Sequence, residues 1–404
     1  MQIDVESLTR ACSDDSFDGG VTIRTELEPL GGPGVPVKPP TYAGATDRDG
    51  PRYQHEQRWW DDGDVRRVVG AVLIDNVPSQ ANRAESALLA VAEQLGLPEL
   101  VLDLSSVGEL PPHLPRTVSS LQFPHRHADS YLRDALLDGT PFPKTEEGRA
   151  LFGATADRAQ PLLRWTPQSL IYGFWQSHLG KGRSQAKLAR SWRSEIVGYQ
   201  PAETEVRQLG LKGDPLNLAK GAGIQVDEDD PSRWAMGTEK PAGAGMVKKK
   251  DLSDIGHGQV PVGGDGKSAP VAVSFGAIEQ RSTLSLPDLR RVSVGEPKQN
   301  AAARALLVAL ALVGHTHAHT GAFTLRSGAD LRVNATRWTW LGPDGDADVD
   351  PLAPQDTLDL FDAAVAAAAE VGLPVGAAWD PRVLTLSPSQ QLAKAIMATY
   401  PQAD

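Results

Sequence analysis

The chain of 404 residues holds a single cysteine, Cys12. One thiol excludes an intramolecular disulfide framework and any zinc site built from several cysteines. It fits a reducing compartment, and a cytoplasmic protein is expected. Positive charge is also scarce: 40 Lys and Arg stand against 51 Asp and Glu, for a formal net charge of -11. That balance disfavours indiscriminate nucleic-acid binding over the whole surface. A local basic groove can still sit in an acidic exterior, so charge has to be read region by region. Long apolar runs are missing too. The longest, 301–314, is interrupted by Arg304 and is too short to span a bilayer. The N-terminus is polar and acidic, unlike a signal peptide. These readings predict a soluble protein with no membrane partner. Its 39 Gly and 31 Pro predict many loops.

Against the acidic background one stretch stands out. From Arg164 to Ser194 the chain carries Arg164, Lys181, Arg183, Lys187, Arg190 and Arg193, with no acidic residue before Glu195. Read as a helix from Ser184, it puts Leu188, Ala189, Trp192 and Ile196 on one side. Arg183, Lys187, Arg190 and Ser194 fall on the other. A helix that packs by one face and offers cations by the other suits a phosphate backbone; the alternative is a solvated basic surface. Trp165, Tyr172, Phe174 and Trp175 interleave with the cations. Aromatics beside cations suit stacking on unpaired bases, although most such residues are core, and one of the four is expected to be exposed.

The rest of the chain reads as mixed α and β. Residues 21–27 alternate as a half-buried strand, and 29–51 is a Gly- and Pro-rich loop. A segment with paired Trp59 and Trp60 leads into a near-continuous apolar strand, 68–75. Ser79 caps a helix running to Leu95, and a strand follows at 100–104, a βαβ-like unit. A helix is expected over 125–137. Residues 200–267 read as a projecting arm with an acidic block, Asp227 to Asp230, and a lysine run, Lys248, Lys249 and Lys250. Strand character returns at 270–279 and 282–286. A strong apolar helix spans 299–313, a turn 315–320, and a hairpin 322–337. Asp344 to Pro354 reads as an acidic loop, and helices at 357–371 and 387–400 close the chain. Two βα halves in one sheet would make a ferredoxin-like palm.

Gly266-Lys267-Ser268 lacks the earlier glycine of a phosphate loop, since that position is Pro261. Asp344, Asp346, Asp348 and Asp350 lack the glycine and glutamate of a calcium loop. His315, His317 and His319 would share a face only on a strand, and no carboxylate is near them in sequence. No cofactor or metal is therefore expected. His125-Arg126-His127 could serve acid–base chemistry on RNA or grip a phosphate. Gln80, Asn82 and Arg83 lie near a helix N-terminus directly after a buried strand, where anions are attracted.

Four segments in order carry a resemblance: Leu73 to Arg83 (LIDNVPSQANR), Pro124 to Asp129 (PHRHAD), Thr166 to Ser177 (TPQSLIYGFWQS) and Arg193 to Gly198 (RSEIVG). Across roughly residues 20–340 the chain resembles the backbone subunit, of the RAMP superfamily, of the type I-G (formerly I-U) CRISPR Cascade complex. The resemblance implies an α+β fold, a ferredoxin-like or RRM-like palm with finger insertions and a long thumb arm. The palm would take residues 20–108 and 268–340, the finger and basic insertion 109–199, the thumb 200–267, and a helical extension 341–404. It implies no catalysis. Several copies would polymerise along one CRISPR RNA, and each thumb would displace a guide nucleotide. Partners would be CRISPR RNA, further copies of the chain, a large subunit, a fused repeat-end-capping and repeat-processing subunit, target DNA and a recruited helicase–nuclease. Arg83, His125, Arg126, Arg164, Lys181, Arg183, Lys187, Arg190 and Arg193 would contact RNA. Gln80 and Asn82 would support the site or bond the ribose, Trp175 would stack, and Lys248 to Lys250 would belong to the thumb. The alternative function is a metal-independent endoribonuclease for repeat RNA using His125 or His127.

Overall fold

A computed structural model describes residues 3–42, 52–61, 63, 65–176, 186–202, 215, 216, 218, 223–257 and 272–400. The chain divides into two compact units, one of residues 1–40, 55–201 and 274–404, the other of 41–54 and 202–273. The architecture is mixed α+β, with curled antiparallel sheets compatible with a ferredoxin-like or RRM-like fold carrying insertions.

The first unit is built on an eight-stranded sheet. Its strands are β1 (Gly20–Pro29), β2 (His55–Asp61), β3 (Arg66–Asp75), β6 (Trp192–Pro201), β7 (Phe275–Ser285), β8 (Ala322–Arg326), β9 (Ala329–Gly342) and β10 (Gly345–Val349). A separate small ribbon pairs β4 (Phe174–Trp175) with β5 (Lys187–Leu188). The main order is β8-β9-β1-β7-β6-β3-β2, with β10 on β9. The pairings are antiparallel. In β1, Val21, Ile23, Thr25 and Leu27 face inward while Arg24 and Glu26 face out, the period of two expected of a half-covered strand.

Helices cover the inner face. Helix α1 (Val77–Ala90) packs on β6, and α2 (Pro297–His319) lies between α1 and α3 (Pro354–Glu370). Helix α2 is apolar all round, which makes it a core helix of the fold. It is long and apolar enough to cross a membrane, yet 89% of its most apolar window is buried within the protein. Gly314 permits the close packing there, since a Cβ would stand 2.6 Å from the Tyr172 hydroxyl.

Several expectations are corrected. Residues 184–195 contain no described helix; they hold β5 and the start of β6. Positions 188, 192 and 196 satisfy a spacing of four and also one of two, so helix and strand shared the same apolar signal. Inside β6, Trp192, Ser194 and Ile196 are buried while Arg193 is exposed. The βαβ reading also fails. Strand Glu99–Asp103 leaves β3 behind and pairs in parallel with Val383–Pro388, in a separate five-stranded sheet. A partner almost 300 residues away leaves no local mark. Asn76, rather than Ser79, caps α1, its Oδ1 accepting from the Ser79 N–H at 2.9 Å.

The expected helix at 125–137 is broken into a turn, Arg126–Ala128, a short helix, Ser130–Arg133, and a strand, Ala135–Leu137. Arg126 sits at φ 55, which a right-handed helix cannot use. The 315–320 turn is instead the last turn of α2. The two strands expected at 270–286 are one, β7, and the acidic loop contains β10, where Arg337 pairs with Asp348 across the hairpin.

In the second unit, Ile224–Asp227 pairs with both Trp234–Met236 and Val247–Lys250. Ile224, Val226 and Leu252 make its small core. Asp227 is tied into its own loop by N–H donors from Asp229 and Gly245, which hold its carboxyl below the usual range.

Candidate functional site

Three separate segments meet at one cleft of about 440 Å³ in the first unit. The turn after Pro124 brings His125 and Arg126. The end of a short helix, Pro167–Tyr172, brings Tyr172, Gly173 and β4. The ribbon partner β5 brings Lys187, with Arg190 just beyond it. Gly173 closes the helix at φ +74, and a Cβ there would lie 2.8 Å from the Leu188 carbonyl. That close approach lets β4 turn back onto β5.

The cleft has an aromatic wall and cations. Of Trp165, Tyr172, Phe174 and Trp175, the first three are buried and Trp175 is 61% exposed. The Lys187 ammonium stands 5.9 Å from the Trp175 ring centre. Arg190 is half-buried, and its Nε is buried with no hydrogen-bond partner. Burial, then the neighbouring Arg126 guanidinium, lower its pKa. Both penalties fall when an anion binds. Among the described residues no Asp or Glu lines the cleft, although Glu85, behind Arg126, raises the Arg190 pKa from a distance.

Arg126 forms the floor rather than a contact surface. It is buried and donates from Nε and Nη2 to Glu85 at 2.8 and 2.7 Å, and from Nη1 to the Gly173 carbonyl at 3.1 Å. Its expected phosphate role is therefore corrected: a bidentate carboxylate already occupies the fork. Burial raises the Glu85 pKa, and Arg126 opposes that shift. His127 is buried edge-on against Phe174 at 4.3 Å, and burial pushes its pKa down to about 3. His125 is exposed at the rim. The two histidines thus form no acid–base pair.

Other expected contacts lie elsewhere. Asp75, at 0% exposure, accepts from Ser79 Oγ at 2.9 Å, Gln80 Nε2 at 2.6 Å, Arg83 Nε at 2.9 Å and Arg326 Nη2 at 2.9 Å. Gln80 Oε1 in turn accepts from Ser194 Oγ and Gln280 Nε2. Gln80 is wholly buried, so a ribose contact is excluded; it joins α1 to β6 and β7. Arg83 is half-buried and tied to Asp75 and the Leu325 carbonyl, a structural clamp. Asn82 is exposed on α1. Arg164 lies over Trp165 at 3.8 Å and donates to the Pro381 carbonyl, away from the cleft. Arg193 pairs with Asp288 at 3.1 Å. Lys181 and Arg183 lie outside the described residues.

Lys248, Lys249 and Lys250 stand on a strand of the second unit, with Lys248 near Glu228 at 3.3 Å. His315 and His319 are buried in α2 among Trp192, Trp338 and Phe323, and burial lowers both pKa values to about 3. Among the described residues no group of three or more His, Cys, Asp or Glu is placed to hold a metal.

The fold and the cleft together define an α+β protein with a cationic cleft walled by aromatic side chains. Residues 21–202 match the family model described as CRISPR-associated protein GSU0053 (Cas_GSU0053). The match spans a little under half of the chain, includes every residue of the cleft, and supports a CRISPR-associated family. No curated protein matches the chain. Charge and aromatic content in the sequence pointed to Trp175, Lys187 and Arg190, which the structure brings together at the cleft. It missed Glu85 as the partner of Arg126, and an acidic residue on the buried side of α1 was the available signal.

Proposed function

We propose that this chain is a non-catalytic CRISPR RNA-binding backbone subunit, polymerising along the guide of a type I-G Cascade complex that recognises invading DNA. The observation that carries the reading is the convergence of Trp175, Lys187 and Arg190 on a cleft without carboxylates, inside the segment matched to a CRISPR-associated family. Lys187 and Arg190 hold backbone phosphates, and Trp175 stacks on a base while leaving its edges free. Binding is accordingly indifferent to spacer sequence. Partners are CRISPR RNA, further copies of the chain, the other Cascade subunits, target DNA and the helicase–nuclease that does the cutting.

The test is equilibrium binding of CRISPR RNA over a range of salt. Lys187→Ala with Arg190→Ala is expected to weaken binding at least tenfold. It should flatten the log–log salt slope by about 1.4, the share of two phosphate contacts on a single strand. An unchanged affinity and slope in the folded double variant would remove the cleft from RNA binding.

A further inference from the structure

The paired tryptophans of β2 take no part in that cleft. They lie in a ribbon that leaves the main sheet. Strand β3 pairs with β6 only over Ala71–Asp75, while Arg66–Gly70 pairs with β2. In sheet order β2 is four strands from β1. A flat sheet would separate them by about 19 Å at the usual strand spacing. Yet the Arg24 guanidinium of β1 stands 5.8 Å from the Trp60 ring centre. The ribbon therefore arches over the open face of the sheet and borders an open groove of about 400 Å³ against β1 and β7.

Rings and guanidinium groups alternate along this groove and beneath it. Trp60 packs on Tyr199 with ring centres 4.6 Å apart. Arg281 lies over Tyr199 at 5.3 Å, and Arg66 over Trp59 at 5.4 Å. Glu279 holds both Arg24 and Arg281, fixing two of the three cations in place. Trp59 remains 58% exposed, at the end of the ribbon. A large ring left exposed beside the Arg66 guanidinium is suited to a flat, electron-rich partner.

We infer that the arched ribbon and the open sheet face form a second binding site, taking an unpaired nucleobase of single-stranded nucleic acid on Trp59. Arg66 contacts the adjoining phosphate. The site takes one or two nucleotides, as either RNA or DNA, and is separate from the Trp175 cleft.

Photocrosslinking of the full chain decides the matter. The probes are oligouridine containing 4-thiouridine and oligothymidine containing 4-thiothymidine, with crosslinks mapped by mass spectrometry and affinity measured by anisotropy. Crosslinks on the Trp59 peptide are expected, with Trp59→Ala and Arg66→Gln each weakening binding about tenfold, the loss of one stacked base or its phosphate. Trp59→Phe should restore most of the affinity. The strand that crosslinks more efficiently identifies the ligand as RNA or DNA. Crosslinks at Trp175 alone, or an unchanged affinity in folded Trp59→Ala, overturn the second site and leave the cleft reading intact. Crosslinks at Trp59 alone keep the second site and sink the cleft.

Discussion

Arg126 and Glu85 show how one residue pair holds the cleft in shape. The pair is buried and bidentate, and the remaining Arg126 donor reaches the carbonyl at the Gly173 turn. Removing one partner strands the other charge. Arg126→Met is expected to cost about 3 kcal/mol or more in urea unfolding. Arg126→Met with Glu85→Leu should recover most of that loss, because no lone charge remains. Asp75→Asn is a parallel case, since the carboxylate there faces two arginines. A loss of about 3 kcal/mol is expected by the same measurement. Arg190→Ala should cost less stability than Arg126→Met, because Glu85 keeps its bidentate bonds from Arg126 when Arg190 is removed.

At the scale of elements, α2 carries a pH dependence. His315 and His319 are buried in its last turns, and burial brings each pKa down to about 3. In the unfolded chain both return to about 6.5. Between those values the unfolded state binds more protons, so stability rises with pH and falls as the solution is acidified. Each histidine accounts for about 2 kcal/mol of loss by pH 5. The urea midpoint should therefore drop between pH 7.5 and 5. In His319→Phe the drop should shrink, the ring remaining packed against Phe323. A midpoint equally sensitive to pH in that variant would assign the effect to other groups. The same turn shows where a local reading stopped short. Three histidines after an apolar run suggested an exposed turn. Trp192 and Trp338, from two distant strands, supply the apolar surround that keeps them neutral and helical.

At the scale of the whole molecule, residues 202–273, the larger part of the second unit, are inserted between β6 and β7 of the first. Pro201 at the end of β6 is paired with Phe275 at the start of β7. Such ladder partners lie about 5 Å apart. Replacing residues 202–273 by a short Gly-Asn turn should leave the first unit with a single cooperative melting transition within a few degrees of the parent. Loss of that transition would show that the first unit depends on the second for its fold.

The sequence by itself determined the local grammar. Apolar alternation marked β1, a near-continuous apolar run marked β3, a long apolar stretch marked α2, and the run of cations and rings after Arg164 pointed to Trp175, Lys187 and Arg190. These signals are legible because burial imposes a period on neighbouring residues. Tertiary structure decided the rest. It turned the basic stretch from a helix into strands, because Leu188, Trp192 and Ile196 satisfied both periods until β4 offered a ladder to the first and β7 and β3 to the others. It gave Arg126 to Glu85 and Gln80 to the core, although both stood in segments that suggested contacts with RNA. It bent the Trp59–Trp60 ribbon over the sheet. In each case the deciding partner lay tens to hundreds of residues away, and a side chain's role depends on which charge or surface reaches it first.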